Sequence, residues 1–132
     1  MQPTFNVLDI AVTDLGAAID FYRRLGLEFV RDQYMPDDHA GCDLPNGLHL
    51  MLDTDDLRTK TTAGWTAPAS GRTFLAFQLA APADVDTLYA ELTADGVTGL
   101  QEPFDAPWAM RYATVADPAG NGIDLYANLP AG

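Results

Sequence analysis

The sequence predicts an α+β fold made of two copies of one strand–helix–strands module. Three observations predict it. A turn motif recurs: Asp43-Leu-Pro-Asn-Gly-Leu-His-Leu50 and Asp117-Pro-Ala-Gly-Asn-Gly-Ile-Asp-Leu125 each run from an aspartate through a proline turn into Asn-Gly and an alternating apolar strand. Asn46-Gly47 and Asn121-Gly122 stand 75 positions apart, and Asn-Gly marks hairpin turns because both residues tolerate positive φ. Upstream, Ile10-Ala-Val12 and Phe77-Gln-Leu79, 67 positions apart, each lead into a helical pattern. Between the copies, residues 54–72 are rich in Thr, Asp, Ala, Pro and Gly, a loop composition.

In chain order, Leu8, Ile10 and Val12 share one face of the first strand, and Val7, Asp9 and Ala11 the other. Asp14 is placed to cap the first helix, where Ile19, Tyr22 and Leu25 recur at helical spacing beside Phe21 and Gly26 follows. Over residues 48–52 the leucines share one face, and His49 and Met51 the other. Module one is read at about 5–53, a linker at 54–72 and module two at about 73–128, all in one domain. A structureless linker of that length is uncommon and often functional. In module two, Leu75, Phe77 and Leu79 form the bulky face, opposite Phe74, Ala76 and Gln78. Val85, Leu88, Tyr89 and Leu92 mark the second helix, opened by Pro82 to Asp84 and ended by Gly96. In the last strand Ile123 and Leu125 pack, leaving Asp124 and Tyr126 opposite. One face of each strand therefore meets the helices. The other mixes polar, aromatic and small side chains, as the lining of a concave site does.

At 132 residues the chain fits one domain and is long enough to fold without a disulfide or metal staple. Its 19 acidic and 7 basic side chains give a formal charge of −12. That charge argues against nucleic acid and anionic membrane surfaces as partners. It favours solubility and the attraction of a cationic ligand. The single cysteine, Cys42, allows no intramolecular disulfide and reads as a small apolar filler. The opening MQPTFNVLDIAV lacks a basic stretch and a long apolar run, so no signal peptide and a cytoplasmic location are expected.

Three segments resemble the vicinal oxygen chelate superfamily of glyoxalase I, extradiol dioxygenases, fosfomycin-resistance enzymes and bleomycin-resistance proteins. Val12 to Phe29 looks like its first helix. Pro107-Trp-Ala-Met-Arg111 looks like its PWG.R element, with Ala109 where glycine is usual. Asp117 to Leu125 looks like its DP.GN..E strand, with Asp124 in place of the usual Glu. The resemblance implies paired βαβββ modules forming a curled mixed sheet around a cavity, and a homodimer. Metal-dependent members place ligands at four inward positions, which map here to Val7, His49, Phe74 and Asp124. Val7 and Phe74 carry no lone pair to donate, and a divalent metal needs at least three protein ligands. No metal and no cofactor are therefore expected.

The sequence thus points to a binding protein rather than an enzyme. Its expected role is sequestration of an aromatic or cationic small molecule, such as an antibiotic, in the manner of bleomycin-resistance relatives. The expected ligand-binding residues are Val7, Asp9, His49, Met51, Phe74, Ala76, Trp65, Trp108, Tyr112, Asp124 and Tyr126, with no catalytic residue assigned. The alternative is a metal-independent isomerase or lyase acting on a small carbonyl compound, with His49 or Asp124 as base. His39 is read as a solvated loop residue. Asp124 is one partner considered for His49, and Asp117 or another nearby acid for Arg111.

Overall fold

The computed structural model describes residues 1–131. The chain divides into two compact units, Met1–Pro68 and a second that begins at Ala69.

The first unit runs β1 (Val7–Val12), α1 (Leu15–Arg23), β2 (Val30–Arg31), β3 (His39–Asp43), β4 (His49–Thr54) and α2 (Asp55–Thr61). Its sheet has the order β1-β4-β3-β2, with β1 parallel to β4 and the other pairs antiparallel. Asp14 caps α1 by accepting from the Ala17 N–H at 3.0 Å. One strand face supplies Ile10, Val12, Leu50 and Leu52 to a core shared with Leu15, Ala18, Ile19, Phe21 and Tyr22 of α1. Tyr22 is fully buried, its ring 5.1 Å from Phe21 and 5.8 Å from Phe29.

The second unit runs β5 (Phe74–Gln78), α3 (Pro82–Ala94), β6 (Gly99–Ala106), β7 (Met110–Ala116) and β8 (Gly122–Asn128). Its sheet has the order β5-β8-β7-β6, with β5 parallel to β8. Val85 and Leu92 of α3 are buried, as are Ala113, Val115, Ile123, Leu125 and Ala127 of the sheet. Asp84 closes the start of α3 by accepting from the Ala81 N–H at 3.1 Å. Each unit is thus a βαβββ module carrying a four-stranded mixed sheet.

Three local features differ from the sequence reading. Part of the stretch read as linker is the helix α2. Thr54 caps it by accepting from the Leu57 N–H at 3.2 Å, and Asp55 and Asp56 open it while Arg58 and Lys60 close it. These charges complement the helix dipole. The helix buries no residue, so it has no apolar period to reveal it.

The second turn sits two residues early: Gly120, not Gly122, takes positive φ, at 89°. Asp117 organises that turn by accepting from the N–H groups of Ala119 and Asn121 at 2.9 and 2.8 Å. Gly122 instead opens β8 beneath the Phe74 ring, where a Cβ would collide with the ring.

Finally, Ala109 adopts φ 64° in the turn before β7. Its N–H donates to the Ala106 carbonyl at 3.1 Å, and its carbonyl accepts from the Leu129 N–H at 3.1 Å. An L-residue costs about 1–2 kcal/mol in that region, part of which glycine returns as lost chain entropy. Ala109→Gly is therefore expected to raise stability by about 0.5–1 kcal/mol, read as a later urea midpoint at unchanged slope. A variant no more stable than the parent would count against strain at this turn.

Candidate functional site

In the second unit the polar sheet face carries an aromatic row. Ladder register sets Phe104 opposite Tyr112 and Tyr112 opposite Tyr126. The Tyr112 and Tyr126 rings stack with centroids 6.1 Å apart and 24° between planes. Trp108, in the β6–β7 turn, stands edge-on to Tyr112 at 5.4 Å and to Phe104 at 6.1 Å. It is half exposed, at 52%, so the row ends in an open aromatic surface. Asp124 lies beside it, accepting from the Tyr112 hydroxyl and the Thr114 hydroxyl, both at 2.8 Å. Burial, then the Asp124 bond and the nearby charges, push the Tyr112 phenol up to about 12. Tyr112 therefore stays a neutral donor that holds Asp124 in place. Phe74 and Ala76 lie on the same face of β5, exposed.

In the first unit the corresponding face carries Val7 and Asp9 from β1, His39, Gly41 and Asp43 from β3, and His49, Met51 and Asp53 from β4. His49 Nδ1 lies 2.7 Å from Asp43 Oδ1. His49 and His39 both line an open cleft of about 390 Å³ with Arg31, Asp32 and Asp43. Asp9 is almost wholly buried, its side chain 10% exposed. Its Oδ2 accepts from Arg58 Nη2 at 2.5 Å, its Oδ1 is buried, and the carboxyl shares a side-chain hydrogen bond with Asp53. Burial, then the hydrogen bond and charge of Asp53, raise Asp9 to about 6 against the pull of Arg58. Burial also acts to raise Asp53. The bonds from Asp9 and His39, with the His39 and Arg58 charges, outweigh it and hold Asp53 below the ordinary carboxylate value.

Several expectations are corrected here. His39 is not a solvated loop residue: it begins β3, is half-buried, and its Nδ1 bonds to Asp53. The partner of His49 is Asp43, while Asp124 is taken by Tyr112 and Thr114. Of the acids considered for Arg111, the structure supplies Asp86 and Asp105. The repeat offset set Val7 against Phe74, but the ladders pair Val7 with His49 and Ala76 with Asp124. Ala76 is thus the ladder counterpart of Val7. Trp65 follows α2, half-buried, outside the ring contacts of the aromatic row. Sequence reasoning missed Asp53, His39, Arg58 and Phe104. Asp53 was legible, because it continues the parity of His49 and Met51 by one more step.

The sequence profile of the Glyoxalase/Bleomycin resistance protein/Dioxygenase superfamily matches residues 4–125. The chain belongs to that superfamily. Among solved structures it is similar to a glyoxalase/bleomycin resistance protein/dioxygenase from Nocardioides. The two share 29% identity and a TM-score of 0.75, over 100% of this chain and 87% of that one. A protein from Agrobacterium tumefaciens, solved by solution NMR, shares 27% identity at a TM-score of 0.72, over 99% and 100% of the two chains. A glyoxalase-related enzyme from Fulvimarina pelagi has the same fold, with 24% identity, a TM-score of 0.79, and 97% and 89% covered. No curated protein matches the chain.

The donor set does not fit the metal of the metal-dependent members. Val7, Phe74 and Ala76 offer no donor atom, His49 is held by Asp43, and Asp124 already accepts two hydrogen bonds. Among the described residues, no three His, Cys, Asp or Glu side chains are arranged to hold a metal ion. No described helix is long and apolar enough to cross a membrane.

Proposed function

We propose that this superfamily member is a metal-free binding protein that sequesters an aromatic or cationic small molecule, in the manner of bleomycin-resistance relatives. The observation that carries the reading is the aromatic row Phe104–Trp108–Tyr112–Tyr126 beside the carboxylate of Asp124. Aromatic faces stack on planar ligands, and an anchored carboxylate favours a cationic one. The chain's net charge of −12 draws cations to the surface. The bound form proposed is a homodimer in the cytoplasm, with a small molecule as partner and neither nucleic acid nor membrane.

Titration of the untagged Trp65→Phe variant, in which Trp108 is the one tryptophan left, with planar cationic aromatic compounds and followed by fluorescence, tests this. Saturable quenching that survives a chelator, with the compound recovered unchanged, is the expected result. Recovery of a converted product would favour the second reading, a metal-independent isomerase or lyase. One observation supports that reading: a carboxylate on Nδ1 orients the His49 ring toward an open cleft, as it does in general bases. Quenching abolished by the chelator would sink both.

A further inference from the structure

The polar face of the second sheet continues past the aromatic row. Ladder register divides it into three rows, each two residues from the next. Tyr112 and Tyr126 form the aromatic end, Thr114 and Asp124 the middle, and Ala116, Gly122 and Phe74 the far end. At that far end the chain leaves a trough of about 490 Å³, with Phe74 and Leu100 as walls and Ala116 between them. Its volume is that of a small-molecule pocket. Glycine at 122 lets the Phe74 ring lie against the sheet, since a Cβ there would come within 2.2 Å of the ring. Phe74 and Leu100 are both more than half exposed, so the trough is an apolar hollow open to solvent. The charged group on its lining, Asp117, is occupied by the N–H groups of Ala119 and Asn121. The face thus presents, in order, aromatic rings, an anchored carboxylate and a hollow suited to hydrocarbon.

We infer that the ligand of this face is an elongated aromatic cation: a planar ring against Trp108, Tyr112 and Tyr126, a positive charge at Asp124, and a hydrocarbon arm in the trough between Phe74 and Leu100. The inference deepens the binding reading above and rests on it. Neighbouring rows lie about 7 Å apart along the strands, so an arm of roughly hexyl length reaches from the carboxylate to the trough. A ligand with a short substituent leaves Phe74, Leu100 and Ala116 in water. One whose arm fills the trough removes their apolar surface from water and binds tighter. The trough therefore discriminates among ligands that share the same ring and charge.

Calorimetric titration with N-methyl-, N-butyl- and N-hexylquinolinium tests this. Full burial of one methylene tightens binding about fourfold. The trough is open on one side, so about twofold per methylene is expected, or about 30-fold from methyl to hexyl. Ala116→Phe fills the trough and should flatten the series while N-methylquinolinium still binds. Leu100→Ser removes a wall at an exposed position and should cut the gain to a few-fold; it carries the test should Ala116→Phe fold poorly. Binding of the methyl compound with no gain along the series would overturn the inference and leave the aromatic row standing. Binding of none of the three compounds would overturn both. A gain that persists undiminished in the variants would put the arm outside the trough and overturn the inference as well.

Discussion

Trp108→Ala is expected to weaken binding of a planar aromatic ligand about 10–100-fold, or about 1–3 kcal/mol. Trp108 is the half-exposed end of the aromatic row, so its outer ring surface is open to a ligand while its edge contacts set its angle. Removing it deletes a wall without opening the core, because its ring contacts are Phe104 and Tyr112, neither of them a buried core residue. The fold should therefore survive with an unchanged melting curve. Calorimetry is the right readout, since the substitution also removes the reporting tryptophan and leaves only Trp65 to emit. Asp124→Asn should weaken a cationic ligand more than a neutral one of the same shape, with the gap narrowing as salt rises. Unchanged affinity in Trp108→Ala would show that the ligand sits elsewhere.

Much of the fold was legible because two periodicities were clean. In β1, β4 and β8 an apolar residue recurs at every second position, and the structure buries Ile10, Val12, Leu50, Leu52, Ile123 and Leu125 as that parity requires, whereas in β5, apolar from Phe74 to Phe77, Leu75 and Phe77 are only half-buried. What stayed hidden had no period to show. β3 reads His-Ala-Gly-Cys-Asp, with small and polar residues whose strand is set by its neighbours β2 and β4. Its His39 therefore looked like a loop residue. α2 shows its cap and terminal charges but no apolar stripe. Gly120 and Gly122 both lay within the recurring motif, and only the Asp117 bonds decide which of them turns the chain.

The site was legible by face rather than by contact. Parity correctly put Asp9, His49, Asp124 and Tyr126 on the polar faces, but it cannot name hydrogen-bond partners across strands. Those depend on register, and the register between β1 and β4 and between β5 and β8 differs from the repeat offset by two residues. Arg58 was out of reach for another reason: it comes to Asp9 from a helix 49 positions along the chain.

Asp9→Asn is expected to be more stable than the parent at pH 7.5, by about 1–2 kcal/mol after allowance for solvent screening. Burial is the main reason that Asp9 is raised from 3.8 to about 6. A carboxyl raised in this way is protonated in the folded chain where it would be ionised in the unfolded one. The folded state therefore holds more protons between about pH 4 and 6, and stability falls as pH rises through that window, then levels. Asp53 acts with the opposite sign: its depressed value adds stability that is complete above 3.8 and lost as pH falls below it. Asparagine copies the protonated form of Asp9. Its amide can donate to Asp53 while its carbonyl accepts from Arg58. The decline between pH 4 and 6 should then flatten in the variant, and the two curves should converge near pH 4. Urea denaturation at half-unit pH steps measures this directly. A variant that keeps the parent's slope, or is less stable at pH 7.5, would show that Asp9 does not hold the proton.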